Sequence, residues 1–85
     1  MKYMRIVGYG LNVVHVQTSN HRNRNYEQTR MTPIEFMEFM KREFPHYWQE
    51  YLDKADTDTY PEKFFYHYGE TPEMIRKGEA FVFEK

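Results

Sequence analysis

The chain has 85 residues, no cysteine and a formal net charge of −1. This length is typical of a single domain, and the lack of cysteine excludes a disulfide framework, a thiolate zinc site and a cysteine nucleophile. No apolar run approaches the roughly 20 residues that cross a bilayer, and the first residues lack the apolar core of a signal peptide. We therefore expect a cytoplasmic protein that does not bind membranes.

Aromatic and thioether side chains dominate the apolar residues. The chain holds seven Phe, eight Tyr, six Met and one Trp. Large rings bury much surface per residue and Met fills the gaps between them, so this composition helps a short chain to close a core. Because each Tyr hydroxyl needs water or a hydrogen-bond partner, we expect several Tyr residues to be half exposed.

The small net charge hides two segments of opposite sign. Residues 1–30 carry five basic side chains and a single acid, Glu27, which gives +4. Residues 31–85 carry seven basic and twelve acidic side chains, which gives −5. A fold that keeps the two segments apart would present one basic and one acidic surface.

The first 18 residues are typical of a β-hairpin. Residues 2–9 and 11–18 are rich in β-branched and aromatic side chains, and Gly8 and Gly10 flank the join between them. Alternation along the strands predicts two faces. One face consists of Met4, Ile6, Val14 and Val16, and the other of Tyr3, Arg5, Val13 and His15.

The stretch from residue 19 to residue 31 is polar and rich in Asn and Arg. It offers almost no apolar side chain to a core, so we predict a loop or a partly disordered segment. Loops of this length are commonly functional or mobile.

Thr32-Pro33-Ile34-Glu35 is the clearest local signal in the chain. Thr at the N-cap, Pro at the first helical position and Glu at the third form a capping box, which predicts a helix start. Apolar side chains then recur at spacings of three and four as far as Ala55. Because Pro45 lacks the N–H that a helix interior needs, we predict one long helix with a kink or break near residues 41–45.

Two further helix starts follow, at residues 59–62 and at Thr71-Pro72-Glu73. The first leads into residues 63–68, whose aromatic composition also suits a strand, so helix and strand both stay open there. Gly78 is a typical C-cap, and residues 79–84 predict a terminal strand. Residues 1–85 therefore predict one small α+β domain, in which a small antiparallel sheet of the hairpin and the terminal strand packs against the long helix.

The long helix carries more rings than one face can bury, so we expect some of them to point outward. An outward aromatic patch on a small protein is commonly an interface, and the helix acids would form its charged rim. Our first hypothesis is a non-catalytic binding module, an accessory or inhibitor protein of the viral or mobile-element kind, that docks on a larger protein or nucleoprotein. Its predicted contact residues are Phe39, Tyr47, Trp48, Glu50, Tyr51 and Asp53.

Nucleic-acid binding by the polar loop is the alternative hypothesis. Arg side chains hold phosphates, amides reach base edges and a Tyr ring stacks on a base. A solvated loop, however, needs the same polar composition, and an overall pI of 6.4 is low for a dedicated nucleic-acid binder. The predicted residues, which Lys2 or Arg5 on the hairpin would assist, are His21, Arg22, Asn23, Arg24, Asn25, Tyr26 and Arg30.

Patterns for catalysis and metal binding are weak. Asp56-x-Asp58 resembles the start of a calcium loop, but Pro61 stands where that loop needs Gly and His67 where it needs Glu. The four His residues are far apart, and no P-loop, nucleophile elbow or complete GxGxxG motif accompanies them. We therefore expect no metal, no cofactor and no catalysis. A small enzyme built on a His–carboxylate pair is the second alternative.

The terminal strand, Glu79–Glu84, would form an open sheet edge. Such an edge can pair with a second copy of the chain, so a homodimer is compatible with both binding hypotheses.

Overall fold

The computed structural model describes all 85 residues. Four antiparallel strands form one sheet in the order β3-β2-β1-β4, and helices pack on one of its faces, so the predicted α+β class is confirmed. None of the helices combines the length and the apolar character that crossing a membrane requires. In chain order the elements are β1 (Tyr3–Gly10), β2 (Val13–Ser19), β3 (Glu27–Met31), α1 (Pro33–Glu43), α2 (Pro45–Lys54), α3 (Pro61–Tyr66), α4 (Pro72–Lys77) and β4 (Phe83–Glu84).

The hairpin forms as predicted. β1 pairs with β2 in antiparallel register, and a two-residue turn, Leu11-Asn12, joins them. Asn12 has a φ of 104°, a conformation that Asn tolerates better than most residues. The predicted inner face is confirmed because all four of its residues are buried: Met4, Ile6, Val14 and Val16.

A β-bulge in β1 changes which residues face the helices. The register shifts between Ile6 and Gly8, which leaves Val7 without a partner on β2. One extra residue inverts the alternation of a strand. Tyr9 therefore lies on the helix side of the sheet, where its ring packs edge-on against Tyr66 with 5.5 Å between centroids.

The prediction of a loop over residues 19–31 is wrong for its second half. Glu27–Met31 form β3, which pairs with β2 from Thr18 to Val14. The strand adds little to the core, since only Met31 packs against it. What stabilises β3 is the pairing of its backbone N–H and C=O groups with the edge of β2, a partner that composition does not reveal.

The single long helix of the prediction is two helices. α1 ends at Glu43 and α2 begins at Pro45, with Phe44 between them at φ −133° and ψ 59°. Pro45 supplies no N–H, and its ring disfavours helical backbone at the preceding residue. The break therefore falls within the predicted interval, and it leaves the Phe44 ring buried in the core.

The predicted start of α1 is confirmed in detail. The Thr32 Oγ1 accepts a hydrogen bond from the Glu35 N–H at 3.2 Å, and the Glu35 carboxylate accepts one from the Thr32 N–H at 2.9 Å. These bonds, the backbone one first, hold the pKa of Glu35 below its ordinary value. The local sequence is therefore sufficient to set this boundary.

The last third of the chain is mainly helical. Residues 61–66 form α3, with Pro61 at its first position and Phe65 buried on one side. α4 has the predicted cap at Thr71 and ends at Gly78 with a φ of 70°. The predicted terminal strand is shorter than expected, because only Phe83–Glu84 pair with β1, at one edge of the sheet.

The core lies between the sheet and α1–α3, and its composition is as predicted. Five of its ten buried residues are Phe and two are Met. Aromatic side chains at its margin, from α2, α3 and the C-terminal segment, extend this packing. The buried residues are Met4, Ile6, Val14, Val16, Phe36, Phe39, Met40, Phe44, Phe65 and Phe83.

Candidate functional site

The aromatic residues predicted to contact a partner pack at the core instead. Phe39 is buried, and Tyr47, Trp48 and Tyr51 are half-buried against core residues. The Trp48 ring, for example, stacks on Phe65 of α3 with 6.5 Å between centroids. Phe39 is therefore not exposed as predicted, and the other three rings are only partly exposed, because residues 61–66 form a helix that packs against α2; their contact with a partner stays a prediction.

The two predicted acidic contact residues form bonds within the chain. Glu50 accepts a 2.5 Å hydrogen bond from the Tyr68 hydroxyl and a 3.0 Å bond from Lys54 Nζ. These bonds, that of Tyr68 first, lower the pKa of Glu50, while burial and then the bond to Glu50 raise the pKa of Tyr68 to about 12. Asp53 is exposed and accepts a 3.0 Å hydrogen bond from Gln49 Nε2.

An apolar groove opens where the β1–β2 turn, the first turns of α1 and the start of α3 meet. We call it the hairpin groove. Its volume is about 820 Å³, enough for several side chains of a partner. The lining residues are Tyr9, Gly10, Leu11, Asn12, Pro33, Ile34, Met37, Tyr60, Pro61 and Glu62.

Three large apolar side chains of the hairpin groove are strongly exposed to water. Leu11 is 97% exposed, Tyr60 72% and Ile34 66%. Leu11 occupies a tight turn, where Gly, Asn, Asp and Ser are the usual residues. Tyr60 stands at the N-cap of α3 and makes no capping hydrogen bond with its side chain. Exposed apolar side chains grouped around one groove commonly mark an interaction surface.

Glu62 is the only charged residue that lines the hairpin groove. Only 8% of its surface is exposed, yet its carboxylate forms no ion pair and no hydrogen bond. No side-chain oxygen of the protein is fully buried without a hydrogen bond, so the Glu62 oxygens keep some contact with solvent. The charge of Glu62 also contributes, after burial, to the raised pKa of Tyr51.

The face of the sheet that no helix covers is a second candidate surface, which we call the open face. Arg5 Nε donates to Gln17 Oε1 at 2.6 Å, and Gln17 Nε2 donates to Gln28 Oε1 at 3.1 Å. A row of polar side chains therefore crosses β1, β2 and β3. The Arg5 guanidinium also lies 3.9 Å from the centre of the Tyr26 ring, which holds it in place by a cation–π contact.

A compact turn of residues 20–25 lies beside the open face. The Ser19 Oγ donates to the Arg24 carbonyl oxygen at 2.6 Å and accepts from the His21 N–H at 2.9 Å. The Tyr26 hydroxyl donates to the Arg22 carbonyl oxygen at 2.5 Å. Five of the predicted nucleic-acid residues are exposed on this turn: His21, Arg22, Asn23, Arg24 and Asn25.

The other two predicted nucleic-acid residues, Tyr26 and Arg30, lie at the open face. Among the arginines of β1–β3 and the turn, only Arg22 has an ion pair, a 3.4 Å contact with Glu84. Five of the seven predicted residues thus lie on the turn, Tyr26 follows it directly, and Arg30 lies on β3. Sequence reasoning missed Gln17 and Gln28, because the pairing of β3 with β2 was not predicted.

A smaller groove of about 350 Å³ lies between β1 and α4. Two of its lining residues form the most direct His–carboxylate contact, with His67 Nδ1 3.2 Å from Glu70 Oε2. No Ser, Thr, Cys or Lys lines this groove. In the whole chain, no three His, Asp or Glu side chains are grouped so that they could hold a metal ion.

Comparison of the chain with protein-family models, with curated proteins and with solved structures gave no match.

Proposed function

We propose that the protein is a small non-catalytic binding module, an accessory or inhibitor protein that docks on a larger protein or nucleoprotein through the hairpin groove. The observation that carries this proposal is the exposure of Leu11, Ile34 and Tyr60 around one groove. Relative to the first hypothesis, the contact surface moves from α2 to the opening between the hairpin turn, α1 and α3.

The energetics favour this surface over the α2 aromatic residues. Tyr47, Trp48 and Tyr51 already bury much of their surface within the chain, so a partner would gain little by covering them. By contrast, most of the apolar surface is still in water for three side chains of the groove, Leu11, Ile34 and Tyr60. A partner that covers them would bury this surface. At about 25 cal/mol per Å² of apolar surface, burial of three such side chains is a substantial driving force for docking.

Affinity capture from the cells that produce the protein tests this proposal. The bait would be the wild type, the double variant Leu11→Ser/Ile34→Ser, and Leu52→Ser as a control. Leu52 is also an exposed apolar residue, but it lies on α2 outside the groove. We expect the wild type and Leu52→Ser to capture the same protein in similar amounts. The groove variant should capture about tenfold less of it, or still less.

Two results would contradict the proposal. One is equal retention by the groove variant and the wild type. The other is that the bait captures only a second copy of the chain, and that substitution of Leu11 and Ile34 lowers the sedimentation coefficient. The groove would then be a homodimer interface.

Nucleic-acid binding at the open face is the second candidate function. Its support is that Arg5 and Arg30 lie on the open face and Arg24 on the adjoining turn, and that none of the three has an acidic partner. Guanidinium groups next to a Tyr ring are suited to phosphates and stacked bases of a single strand. The polar row through Gln17 and Gln28 adds amide groups that can bind base edges.

Fluorescence anisotropy with labelled single- and double-stranded DNA and RNA tests the second candidate. We expect affinity that falls steeply with salt, and a salt slope about three units smaller for Arg22→Ala/Arg24→Ala/Arg30→Ala, one for each lost phosphate contact. The control removes three cations from the helical side, Lys63→Ala/Arg76→Ala/Lys77→Ala. If both triple variants lose the same affinity for nucleic acid, the attraction is non-specific. If the wild type does not bind nucleic acid at low salt, this function is excluded.

A further inference from the structure

Glu62 lines the hairpin groove, and its carboxylate has no ion pair and no hydrogen bond within the chain. Burial of a carboxylate is unfavourable unless a cation or hydrogen-bond donors compensate for the lost water. Glu62 is more than nine-tenths buried, and no residue of the chain donates to it. Its oxygens are not fully enclosed, so they still exchange with solvent, and the residue lines the groove that we propose a partner covers.

The position of Glu62 in α3 does not account for its burial. Glu62 is the second residue of this six-residue helix, where the helix dipole favours a negative charge only weakly. The neighbouring Lys63 is exposed and does not pair with it. An apolar partner segment that closed the groove over Glu62 would take water from the carboxylate without replacing its hydrogen bonds, and would lose affinity for that reason. The partner must therefore bring a donor with it.

The lining of the groove determines what kind of donor fits. All other lining residues are uncharged, so a cation would meet a single negative charge and no competing positive charge. A lone carboxylate is too little for a metal ion, and no grouping of three metal ligands is present. The exposed side chains of Leu11, Ile34 and Tyr60 are suited to apolar neighbours and to the aliphatic stem of a Lys or Arg.

We propose that the hairpin groove binds a segment of the partner in which a basic side chain stands between apolar ones, with Glu62 as the acceptor for the cation. This inference rests on the proposed function and specifies the chemistry of the partner. The charge-assisted bond to Glu62 sets specificity, and the three exposed apolar side chains supply the apolar contact area.

Titration followed by ¹H–¹⁵N NMR tests the inference without knowledge of the partner. The probes are acetyl-Leu-Lys-Leu-amide and its uncharged counterpart acetyl-Leu-norleucine-Leu-amide, at millimolar concentration and low salt. The proteins are the wild type, Glu62→Gln and the control Glu38→Gln, which removes an exposed acid of α1 outside the groove. The spectrum of each variant also reports whether it is folded.

We expect the Lys peptide to shift the amide signals of Leu11, Ile34 and Tyr60 in the wild type. Its binding should be about tenfold weaker to Glu62→Gln and unchanged to Glu38→Gln, and the norleucine peptide should bind the wild type about tenfold more weakly than the Lys peptide.

Equal binding of both peptides to the wild type would overturn the role of Glu62 and leave groove docking intact. An equal loss of both peptides in Glu62→Gln would make Glu62 a structural residue and would also overturn the inference. The inference is also overturned if neither peptide shifts the amide signals of the groove residues. The proposed function itself is decided separately, by the capture experiment with the Leu11 and Ile34 variants.

Discussion

The Tyr68 hydroxyl donates a 2.5 Å hydrogen bond to Glu50 Oε2, which ties the segment after α3 to α2. The Tyr68 ring also packs edge-on against Tyr47 and Phe81, with centroids 5.4 and 5.0 Å away. This contact joins a half-buried hydroxyl to the carboxylate that Lys54 also binds. Because both groups titrate, this hydrogen bond couples the stability of the C-terminal half to pH. The substitution Tyr68→Phe removes the hydrogen bond but keeps the aromatic ring.

We expect Tyr68→Phe to lower the free energy of unfolding at neutral pH by about 1.5 kcal/mol, the lower end for a hydrogen bond to a charged group, because this bond is only partly buried. Because the folded pKa of Glu50 is lowered, its stabilisation is present above its unfolded pKa and is lost as pH falls through the folded pKa. Because the pKa of Tyr68 is raised from 10.0 to about 12, its stabilisation is complete below 10.0 and is lost towards 12.

Urea unfolding of the wild type and Tyr68→Phe across pH checks this prediction. The difference between the two proteins should be largest near neutrality and should shrink both in acid and above pH 10, the ordinary pKa of Tyr. A constant difference at every pH would show that the loss comes from packing rather than from the bond to Glu50.

Tyr47→Ala and Trp48→Ala should each destabilise the fold by about 2 kcal/mol, less than for a fully buried ring. Tyr47 packs edge-on against Phe83 at 5.0 Å and Trp48 stacks on Phe65 at 6.5 Å, so truncation leaves a gap beside the core. Leu52→Ala on the same helix is the control and should change stability by less than about 0.5 kcal/mol. If thermal unfolding shows that Trp48→Ala loses no more stability than Leu52→Ala, the packing of Trp48 against the core is contradicted.

Gly69→Ala should be more destabilising than Gly78→Ala. Both residues have positive φ, 65° and 70°, so Ala costs about 1 kcal/mol at each position. At Gly69 the new Cβ would also lie 2.6 Å from Phe81 Cδ1, whereas at Gly78 it meets no atom within 4 Å. Chemical denaturation of the two variants measures the difference directly, and equal losses would mean that the Phe81 ring moves aside without cost.

Leu11→Ser should leave the free energy of unfolding unchanged within about 0.5 kcal/mol, because the Leu11 side chain has almost no contact to lose. This variant therefore separates binding from stability at the hairpin groove. If denaturant unfolding shows a loss above about 1 kcal/mol, Leu11 is a structural residue and its exposure is no longer an argument for docking.

Local rules predicted the elements that depend only on neighbouring residues. The capping box at Thr32 and Glu35, the break before Pro45 and the Gly78 cap all formed where expected. The inner face of the hairpin was equally predictable, because alternation along paired strands decides which side chains share a side. Each of these features is set within one strand pair or within a few residues of chain.

Tertiary structure decided the rest, and with it the candidate site. β3 exists because β2 offers it a free edge, and residues 61–66 are helical because Phe65 has a core to enter. That helix withdraws Trp48 and Tyr51 from solvent, while the bulge at Val7 turns Tyr9 towards the helices and into the groove. The composition determined by itself that this chain has an aromatic core and segments of opposite charge. Which apolar side chains stay exposed, and that Glu62 lies among them, depends on contacts between residues far apart in the chain.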